Sequence, residues 1–441
     1  MRANFTKQIE DALGDRLPAG PQVTETATGE LHSCFATSDL AVATLGSAAS
    51  ELAAFLGTGA AVLNRRLALL WFKKTLRPIG WELRSTWDAV AGDYQTADGW
   101  IRLHTNAPHH RDAALSVLGC PADRAAVAKA VQDWQKVALQ EAVVGAGGAA
   151  AAMHDLATWS THPQGSAVAA EPLIDWQTTA TDRPPLVLEG LRVLDLTRVL
   201  AGPVATRFLA GFGAQVLRID PPSWNEPAVE PEVTLGKRRA GLDLTKSDDR
   251  HVFENLLRNA DVLVHGYRAD AMERLGYGHA ERRRIAPNLI DVSLNAFGWT
   301  GPWATRRGFD SLVQMSSGIA AEGMRRAGAD RPVPLPVQAL DHGTGYLMAA
   351  AVLRALRLRR ATGESVSARL SLARTAAMLT GAGAGDFHGA PISEDASDLA
   401  PEIEMTGWGP ARRLAFPVQI DGRPPHWAIP AGPLRIDPPG W

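Results

Sequence analysis

Residues 188–222 read LEGLRVLDLTRVLAGPVATRFLAGFGAQVLRIDPP, and two apolar runs in this stretch indicate the fold. The runs at 191–196 and 215–220 are short and mostly apolar, which is typical of strands buried in a parallel sheet. The residues between them predict a loop and a helix, so the stretch predicts a strand–helix–strand unit. We therefore expect an α/β fold with a doubly wound, Rossmann-like parallel sheet.

The rest of the chain divides into parts around this unit. Residues 1–177 predict a second, smaller α/β domain with additional helices, including a hairpin that turns at Asp98–Gly99. Residues 178–187 are polar with two prolines and predict a linker. Residues 188–390 carry the alternating strands and helices of the Rossmann-like domain, and the Pro-rich residues 391–441 predict an extended tail.

Composition excludes several classes of protein. The chain has 441 residues with 45 Lys and Arg against 47 Asp and Glu, which does not suit a strongly basic nucleic-acid binder. Cys34 and Cys120 cannot build a disulfide framework, and no CxxC pair predicts a zinc site. No apolar run reaches the ~18 residues that span a bilayer, and the start of the chain lacks a signal-peptide core. We expect a soluble cytoplasmic protein that binds no metal, nucleic acid or membrane.

Asp341 is the first residue whose position suggests chemistry. It follows an extended apolar run and precedes a long helix in PVPLPVQALDHGTGYLMAAAVL, residues 332–353. The structural interpretation is a helix N-cap, because Asp accepts well from the first free amides. The functional interpretation is a carboxylate nucleophile at the mouth of an apolar pocket, where Gly343 and Gly345 allow close ligand approach. The two roles can coexist.

Basic residues offer a second candidate site. Lys237, Arg238 and Arg239 come just before an alternating segment, and Arg274 lies in MERLGYG. A basic triplet is either a solvated face or a clamp for a phosphorylated ligand.

The turn at Ala201–Pro203 follows the first predicted strand. It reads AGP within TRVLAGPVATR, so the GxGxxG dinucleotide fingerprint is absent. The turn can still bring backbone close to a ligand at a helix start, or it can be a tight loop that places a proline in the first helical turn.

Several blocks in fixed order resemble one family. They are residues 188–222, GKRRAGLDLTK at 236–246, ADVLVHGYRADAMERLGYG at 260–278, residues 288–318 and residues 337–366. Together they are similar to the family III CoA-transferases of the CaiB/BaiF type, over about 188–375.

The resemblance implies roles for individual residues. It implies that Asp341 is the catalytic nucleophile and that coenzyme A binds as a substrate. It also implies that Lys237, Arg238 and Arg274 lie along the CoA phosphates and adenine. The remaining positions that it places near the CoA chain or in the substrate pocket are Ala201, Gly202, Pro203, Leu200, Phe309, Asp310, Gly343 and Gly345.

The same resemblance implies the reaction and its rivals. Family members move CoA between an acyl-CoA and a carboxylic acid through an aspartyl anhydride and an aspartyl-CoA thioester, and they form homodimers. The related acyl-CoA racemases use a His where this chain has Phe309, and a phenyl ring cannot carry a proton. A racemase or epimerase is therefore the less favoured alternative, and a non-catalytic CoA-binding protein is the other.

The order of the chain departs from the family, whose small domain follows the catalytic Asp. Here residues 92–170 look like that small domain placed earlier in the chain. Residues 38–63 also weakly echo 340–366, with Asp39 opposite Asp341, so the N-terminal part is either a partial repeat or a chance likeness of two Ala-rich helices. We expect it to cover the mouth of the Asp341 site, and we expect a chain starting near Leu186 to fold alone.

Overall fold

The computed structural model describes residues 5–180 and 184–441. The helices of the N-terminal part are α1 (Phe5–Leu13), α2 (Thr37–Leu56), α3 (Arg65–Trp71), α4 (Pro108–Leu118), α5 (Arg124–Val131), α6 (Lys136–Gly145), α7 (Leu156–Thr161) and α8 (Pro163–Ala170). Its strands are β1 (Val23–Thr26), β2 (Ser33–Phe35), β3 (Ala61–Asn64), β4 (Leu76–Pro78), β5 (Gly92–Thr96), β6 (Gly99–Leu103), β7 (Ala150–Ala152) and β8 (Asp175–Ala180).

The C-terminal part continues the numbering. Its helices are α9 (Ala201–Gly211), α10 (Glu230–Val233), α11 (Ser247–Arg258), α12 (Ala271–Arg274), α13 (His279–Ile285), α14 (Asp310–Ser316), α15 (Ile319–Ala327), α16 (Ala339–Thr362) and α17 (Leu372–Gly381), with a 3₁₀ turn at Ala396–Asp398. Its strands are β9 (Arg192–Leu196), β10 (Gln215–Asp220), β11 (Lys237–Gly241), β12 (Val262–His265), β13 (Ile290–Asn295), β14 (Ser365–Ser371), β15 (Ala384–His388), β16 (Leu399–Thr406), β17 (Gly409–Leu414) and β18 (Val418–Ile420).

Within the described residues the main sheet has seven strands in the order β11-β10-β9-β12-β13-β14-β8. All neighbours are parallel except β8, which runs antiparallel on β14. After the edge strand β8, the chain enters the parallel part of the sheet in its middle, at β9, adds β10 and β11 on one side and then crosses to the other side. This confirms the doubly wound α/β sheet, and it opens a crevice beyond the carboxyl ends of β9 and β12, where the strand order reverses.

The predicted linker begins inside this sheet. Residues 178–180 belong to β8, because the polar run continues the antiparallel pairing with β14. Residues 181–183 lie outside the described residues.

A small unit lies between β4 and β8. The predicted β5–β6 hairpin is present, but its turn lies at Ala97–Asp98, one residue earlier than predicted, because Gly99 already pairs with Thr96 as the first residue of β6. Strand β7 pairs with β6. Helices α4, α5 and α6 cover this sheet around a core of its own that includes Val90, Tyr94, Ile101 and Leu139.

Helix α2 packs along α16, which is buried over most of its length. A Cβ on Gly343 would meet Leu40 and Thr44. Further along, Arg354 and Arg357 pair with Glu51, and Arg360 donates to the carbonyl of Phe55. Residue numbers rise together on both helices, so the two run parallel. Helix α2 is long and apolar enough to cross a membrane by length and composition alone, but 67% of its most apolar window is buried in this protein.

The order of elements repeats around these two helices. The series α2, β3, α3 matches the series α16, β14, α17, and β1 pairs in parallel with β3 as β13 does with β14. The shared order favours a partial repeat over a chance likeness of two helices.

The tail is not simply extended. Strands β16 and β17 form a hairpin that β4 extends, and β18 pairs with β3. These pairings join the first 80 residues to the last 45 or so, which local sequence patterns do not encode. A chain starting near Leu186 would lack the strands that pair with β17 and β18 and the helix that covers α16. These contacts favour the opposite expectation, that residues 186–441 need the N-terminal part to fold.

Candidate active site

Asp341 lies in the first turn of α16, at the carboxyl side of the sheet. The N-cap of this helix is Gln338, so Asp341 is the third helical residue and the predicted N-cap role is wrong. Its side chain is 7% exposed. Among the described residues, no hydrogen-bond donor contacts its carboxylate. Within the described residues the carboxylate is therefore buried and has no cationic partner.

A second acid, Asp310, lies beside it at the start of α14. The backbone N–H of Asp341 donates to Oδ2 of Asp310 at 2.9 Å. The side-chain amide nitrogen of Gln314 donates to the other oxygen of Asp310. The side-chain oxygen of Gln314 accepts from the N–H of Leu335 at 2.7 Å. This network ties α14 to the segment that leads into α16.

The two acids disfavour each other's charge. Burial raises the pKa of Asp310 to about 6. Burial and the neighbouring charge of Asp310 raise the pKa of Asp341 well above its usual range. Two carboxylates this close, with little solvent, resist ionising together. The basicity of Asp341 is therefore raised by its burial and by Asp310 together.

The glycines near Asp341 serve packing rather than ligand approach. A Cβ on Gly345 would lie 2.3 Å from the carbonyl oxygen of Ala201, so glycine lets α16 and α9 come together. Gly343 faces α2, where a Cβ would make ordinary contacts at 3.6–3.7 Å. Both residues lie beyond the first four amides of α16, so their N–H groups bond within the helix and cannot bind an oxyanion. The predicted role of these two glycines in the substrate pocket is wrong.

The turn before α9 is tightly built. Ala201, Gly202 and Pro203 are buried in the first turn of α9, and a Cβ on Gly202 would clash with Thr197. Leu200 is the half-buried N-cap residue.

Lys237 does not lie where a CoA phosphate could reach it. Its side chain is fully buried, and Nζ donates to Oδ2 of Asp195 at 3.0 Å and to the carbonyl of Pro203 at 3.1 Å. Burial lowers its pKa to about 8. Arg238 donates to the carbonyl of Gly440 at 2.7 Å and is thereby tied to the tail. The structure thus contradicts a phosphate-binding role for Lys237 and gives Arg238 a structural partner.

Arg274 remains available at the surface. Its side chain is 60% exposed and pairs with Asp270 at 2.8 Å.

Three other arginines meet at the crevice between β9 and β12. Arg198 follows β9, Arg268 follows β12 and Arg307 precedes α14. In the part of the chain that the structure describes, none of them is ion-paired with an acidic side chain. Instead, Arg268 donates to the carbonyl of Thr305 at 3.3 Å and Arg307 to that of Gly147 at 2.6 Å.

Arg198 is held by aromatic rings. Its guanidinium lies 4.8 Å from the ring centre of Trp224 and 5.1 Å from that of Tyr267, and it donates to the Tyr267 hydroxyl at 2.9 Å. We call Arg198, Arg268 and Arg307 the arginine cluster. The sequence analysis does not identify it, although Arg198 lies two residues after the predicted strand at 191–196.

Two histidines of the small unit, His104 and His110, contact Phe309 at this site. The ring of His104, after β6, stacks on Phe309 with centres 3.8 Å apart and planes 6° apart. Its Nδ1 lies 3.4 Å from the hydroxyl of Ser311. His110, on α4, contacts the same phenyl ring edge-on at 5.8 Å. The half-buried Phe309 therefore joins the N-terminal part to the residue beside Asp341.

The described residues, 5–180 and 184–441, contain no group of three or more His, Cys, Asp or Glu side chains that could hold a metal ion.

Comparison with known proteins places part of the chain in context. Residues 188–400 match the family described as CoA-transferase family III. The chain is 34% identical over 209 residues to the acetyl-CoA:oxalate CoA-transferase of Acetobacter aceti, covering 44% of this chain and 53% of that protein. It is 32% identical over 194 residues to the succinyl-CoA:glutarate CoA-transferase of Mus musculus, covering 41% and 44%. The chain thus spans about half the length of these relatives.

A solved structure is similar over a comparable share. The crystal structure of a hypothetical protein from Mycobacterium tuberculosis is 31% identical, with a TM-score of 0.40, and the match covers 45% of this chain and 58% of that one.

Proposed function

Because residues 188–400 match CoA-transferase family III, we propose that this protein moves CoA between an acyl-CoA and a carboxylic acid, with Asp341 as the nucleophile. The observation that carries the proposal is the carboxylate of Asp341. It is buried, accepts no hydrogen bond from the described residues and lies beside a second acid that raises its pKa. A structural carboxylate would normally be paired when buried to this extent.

The chemistry follows from this carboxylate. Asp341 attacks the thioester carbonyl of the acyl-CoA, the C–S bond breaks, and CoA leaves as a thiolate. The product is a mixed anhydride between Asp341 and the acyl group. The thiolate then attacks the carbonyl of Asp341, which gives an aspartyl-CoA thioester and releases the first carboxylate. An acceptor carboxylate reverses the two steps and leaves as the new acyl-CoA, so that the thioester bond energy is retained.

The raised pKa suits this role. A carboxylate of higher basicity is a better nucleophile toward a thioester, provided that it is ionised at the working pH. Asp310 supplies part of the increase and also fixes the helix end that carries Asp341. Asp310 thus positions the nucleophile and adjusts its basicity without touching the acyl group.

We assign the phosphates of CoA to the arginine cluster, together with Arg274. The cluster lies beyond the carboxyl ends of β9 and β12, where ligands of doubly wound sheets bind. Its guanidinium groups have no acidic partner among the described residues, so a polyanion would gain charge-assisted hydrogen bonds there. Lys237 and Arg238 are already engaged within the protein.

The proposed reaction also requires that water be excluded from the site, because an anhydride hydrolyses when water reaches it. The stacked rings of His104 and Phe309 form a wall next to Asp310, contributed by both parts of the chain. This arrangement supports a covering role for the small unit.

The test is transfer of radiolabelled CoA between a panel of acids, with the full chain. The Asp341→Asn variant should lose transfer by at least ~10³-fold, as expected for a missing covalent nucleophile, and should still bind CoA. Hydroxylamine trapping and mass spectrometry should place the modification on Asp341. The matched control is Asp39→Asn, which removes the acid at the same place on α2, where it pairs with Arg65. Near-normal transfer by Asp341→Asn would refute the proposal.

The two alternatives give different results. A racemase or epimerase would exchange the α-proton of the acyl group with deuterium from the solvent without moving CoA. A non-catalytic binding protein would bind CoA and do neither.

A further inference from the structure

His109 and His110 stand in the first turn of α4, facing the arginine cluster from the N-terminal part. Their ring centres are 4.2 Å apart. His109 is exposed, whereas His110 is 3% exposed. Within the described residues, Nδ1 of His110 has no hydrogen-bond partner. A buried imidazole nitrogen without a partner is costly, so its retention beside Arg268 and Arg307, which have no acidic partner among the described residues, points to a ligand.

The charges that face the two imidazoles are mainly positive. Burial, then the charges of Arg307 and Arg198, lower the pKa of His109, against a small opposite effect of Asp112. Burial, then His109, Arg307 and Arg268, lower the pKa of His110 to about 3. Burial, then His110 and Arg102, lower the pKa of the neighbouring His104 to about 3. Both imidazoles are therefore neutral at pH 7 in this environment.

We propose that His109 and His110 bind the same phosphate group as the arginine cluster, and that they bind it as imidazolium ions, so that CoA binding takes up protons. This inference rests on the proposed function, in which that group belongs to CoA. A phosphate carries close to two negative charges near neutral pH, which reverses the field that keeps the imidazoles neutral. It also offers acceptor oxygens to the nitrogen that now lacks a partner.

The arrangement has a consequence for the two parts of the chain. The arginines follow strands of the main sheet or precede α14, while the imidazoles come from the small unit. A phosphate held by both sets would bridge the crevice and draw α4 onto it. The imidazolium ions strengthen CoA binding at pH values below the pKa that the imidazoles have in the complex. This contribution is lost as the pH rises through that pKa, so CoA affinity should fall with rising pH.

The experiment is calorimetric titration of the full chain with CoA, at pH 6.5, in two buffers of different ionisation enthalpy. The 3′-phosphate of CoA itself titrates near pH 6, and this contribution is common to all variants. The difference in proton uptake between wild type and the His109→Gln/His110→Gln variant therefore reports the imidazoles. We expect the wild type to take up more protons and to bind about tenfold or more tightly, since hydrogen bonds between charged groups are lost in the variant. The difference in CoA affinity between wild type and the variant should be smaller at pH 8.5.

The controls distinguish a failure of this inference from a failure of the proposed function. His251→Gln, at an exposed histidine on α11, should behave as wild type. The single variant His109→Gln alters only an exposed side chain and guards against loss of folding. Pantetheine, which lacks phosphate, should show no difference between wild type and the variants.

Equal affinity and equal proton uptake in wild type and His109→Gln/His110→Gln, with CoA binding still dependent on Arg268, would overturn the histidine role alone. Absence of CoA binding by the wild type would overturn both the inference and the proposed function.

Discussion

The backbone N–H of Asp341 is hydrogen-bonded to the carboxylate of Asp310 at 2.9 Å, and this bond places two buried acids side by side. The bond has two effects at once. It fixes the first turn of α16, and it brings a negative charge next to the side chain that would attack the substrate. The same residue, Asp310, therefore influences both the position and the basicity of the proposed nucleophile.

The substitution Asp310→Asn should move the pH dependence of transfer. In the proposed mechanism Asp341 attacks as a carboxylate, so kcat/KM should fall as the pH drops below the pKa of Asp341. The charge of Asp310 raises that pKa, and an uncharged amide removes this effect while its oxygen can still accept the N–H of Asp341. The acidic limb of the kcat/KM profile should shift to lower pH. Asp330→Asn, at an exposed acid, is the control, and an unchanged or upward-shifted limb for Asp310→Asn would contradict this account.

The substitution Arg268→Ala should weaken CoA binding by about tenfold or more, because a charge-assisted contact to phosphate is lost. Calorimetry with CoA measures it. Arg284→Ala is the matched control, since that arginine is 70% exposed and pairs only with Glu281 among the described acids. Equal CoA affinity in the two variants would contradict the assignment of the CoA phosphates to the arginine cluster.

The substitution Lys237→Met should act on stability. It leaves the buried carboxylate of Asp195 without its closest cation, which typically costs about 3–5 kcal/mol. Urea unfolding should show the loss, and Lys237→Met/Asp195→Asn should recover part of it. Lys246→Met, at a lysine that is 70% exposed, should leave the unfolding free energy nearly unchanged. A stable Lys237→Met protein with weakened CoA binding would instead restore the role that the sequence predicts for this lysine.

A chain of residues 186–441 should fail to unfold cooperatively. It lacks α2, which covers α16, and it lacks β3 and β4, which pair with β18 and β17. Near-UV circular dichroism and thermal melting of this piece should show no fixed tertiary structure. Adding residues 1–180 as a separate chain should restore it. A sharp transition for residues 186–441 alone would show that the N-terminal part is dispensable for folding.

Much of the main sheet could be predicted from sequence, because its determinants are local. Residues 191–196 and 215–220 are compact apolar runs, and the predicted strands agree closely with β9 and β10. The place of Asp341 at a helix start could be predicted for the same reason, whereas its exact position in the first turn could not. Which residue caps the helix depends on backbone angles at Gln338, and the sequence does not specify them.

The burial of Lys237 depends on strand register. Lys237 pairs with Val216 of β10, and this alignment brings its ammonium group to Asp195. Shifting the register by one residue would turn the side chain to the opposite face. The basic triplet in the sequence does not show which of the two faces the Lys237 side chain occupies.

The arginine cluster is harder still to foresee. Its members come from three segments that only the strand order brings together, at the reversal between β9 and β12. No spacing in the sequence marks such a site. The pairing of β4 with β17 is equally remote, since more than 300 residues separate Arg77 from Arg412.

The parallel packing of α2 on α16 also bears on how the protein responds to dilution. The two helices belong to one covalent chain, so the local concentration of α2 at its binding face does not depend on how much protein is present. A cover supplied by a second molecule would leave as the solution is diluted, whereas this one stays at nanomolar and at millimolar protein alike. The apolar side of the helix that carries Asp341 therefore remains protected at every concentration the protein meets.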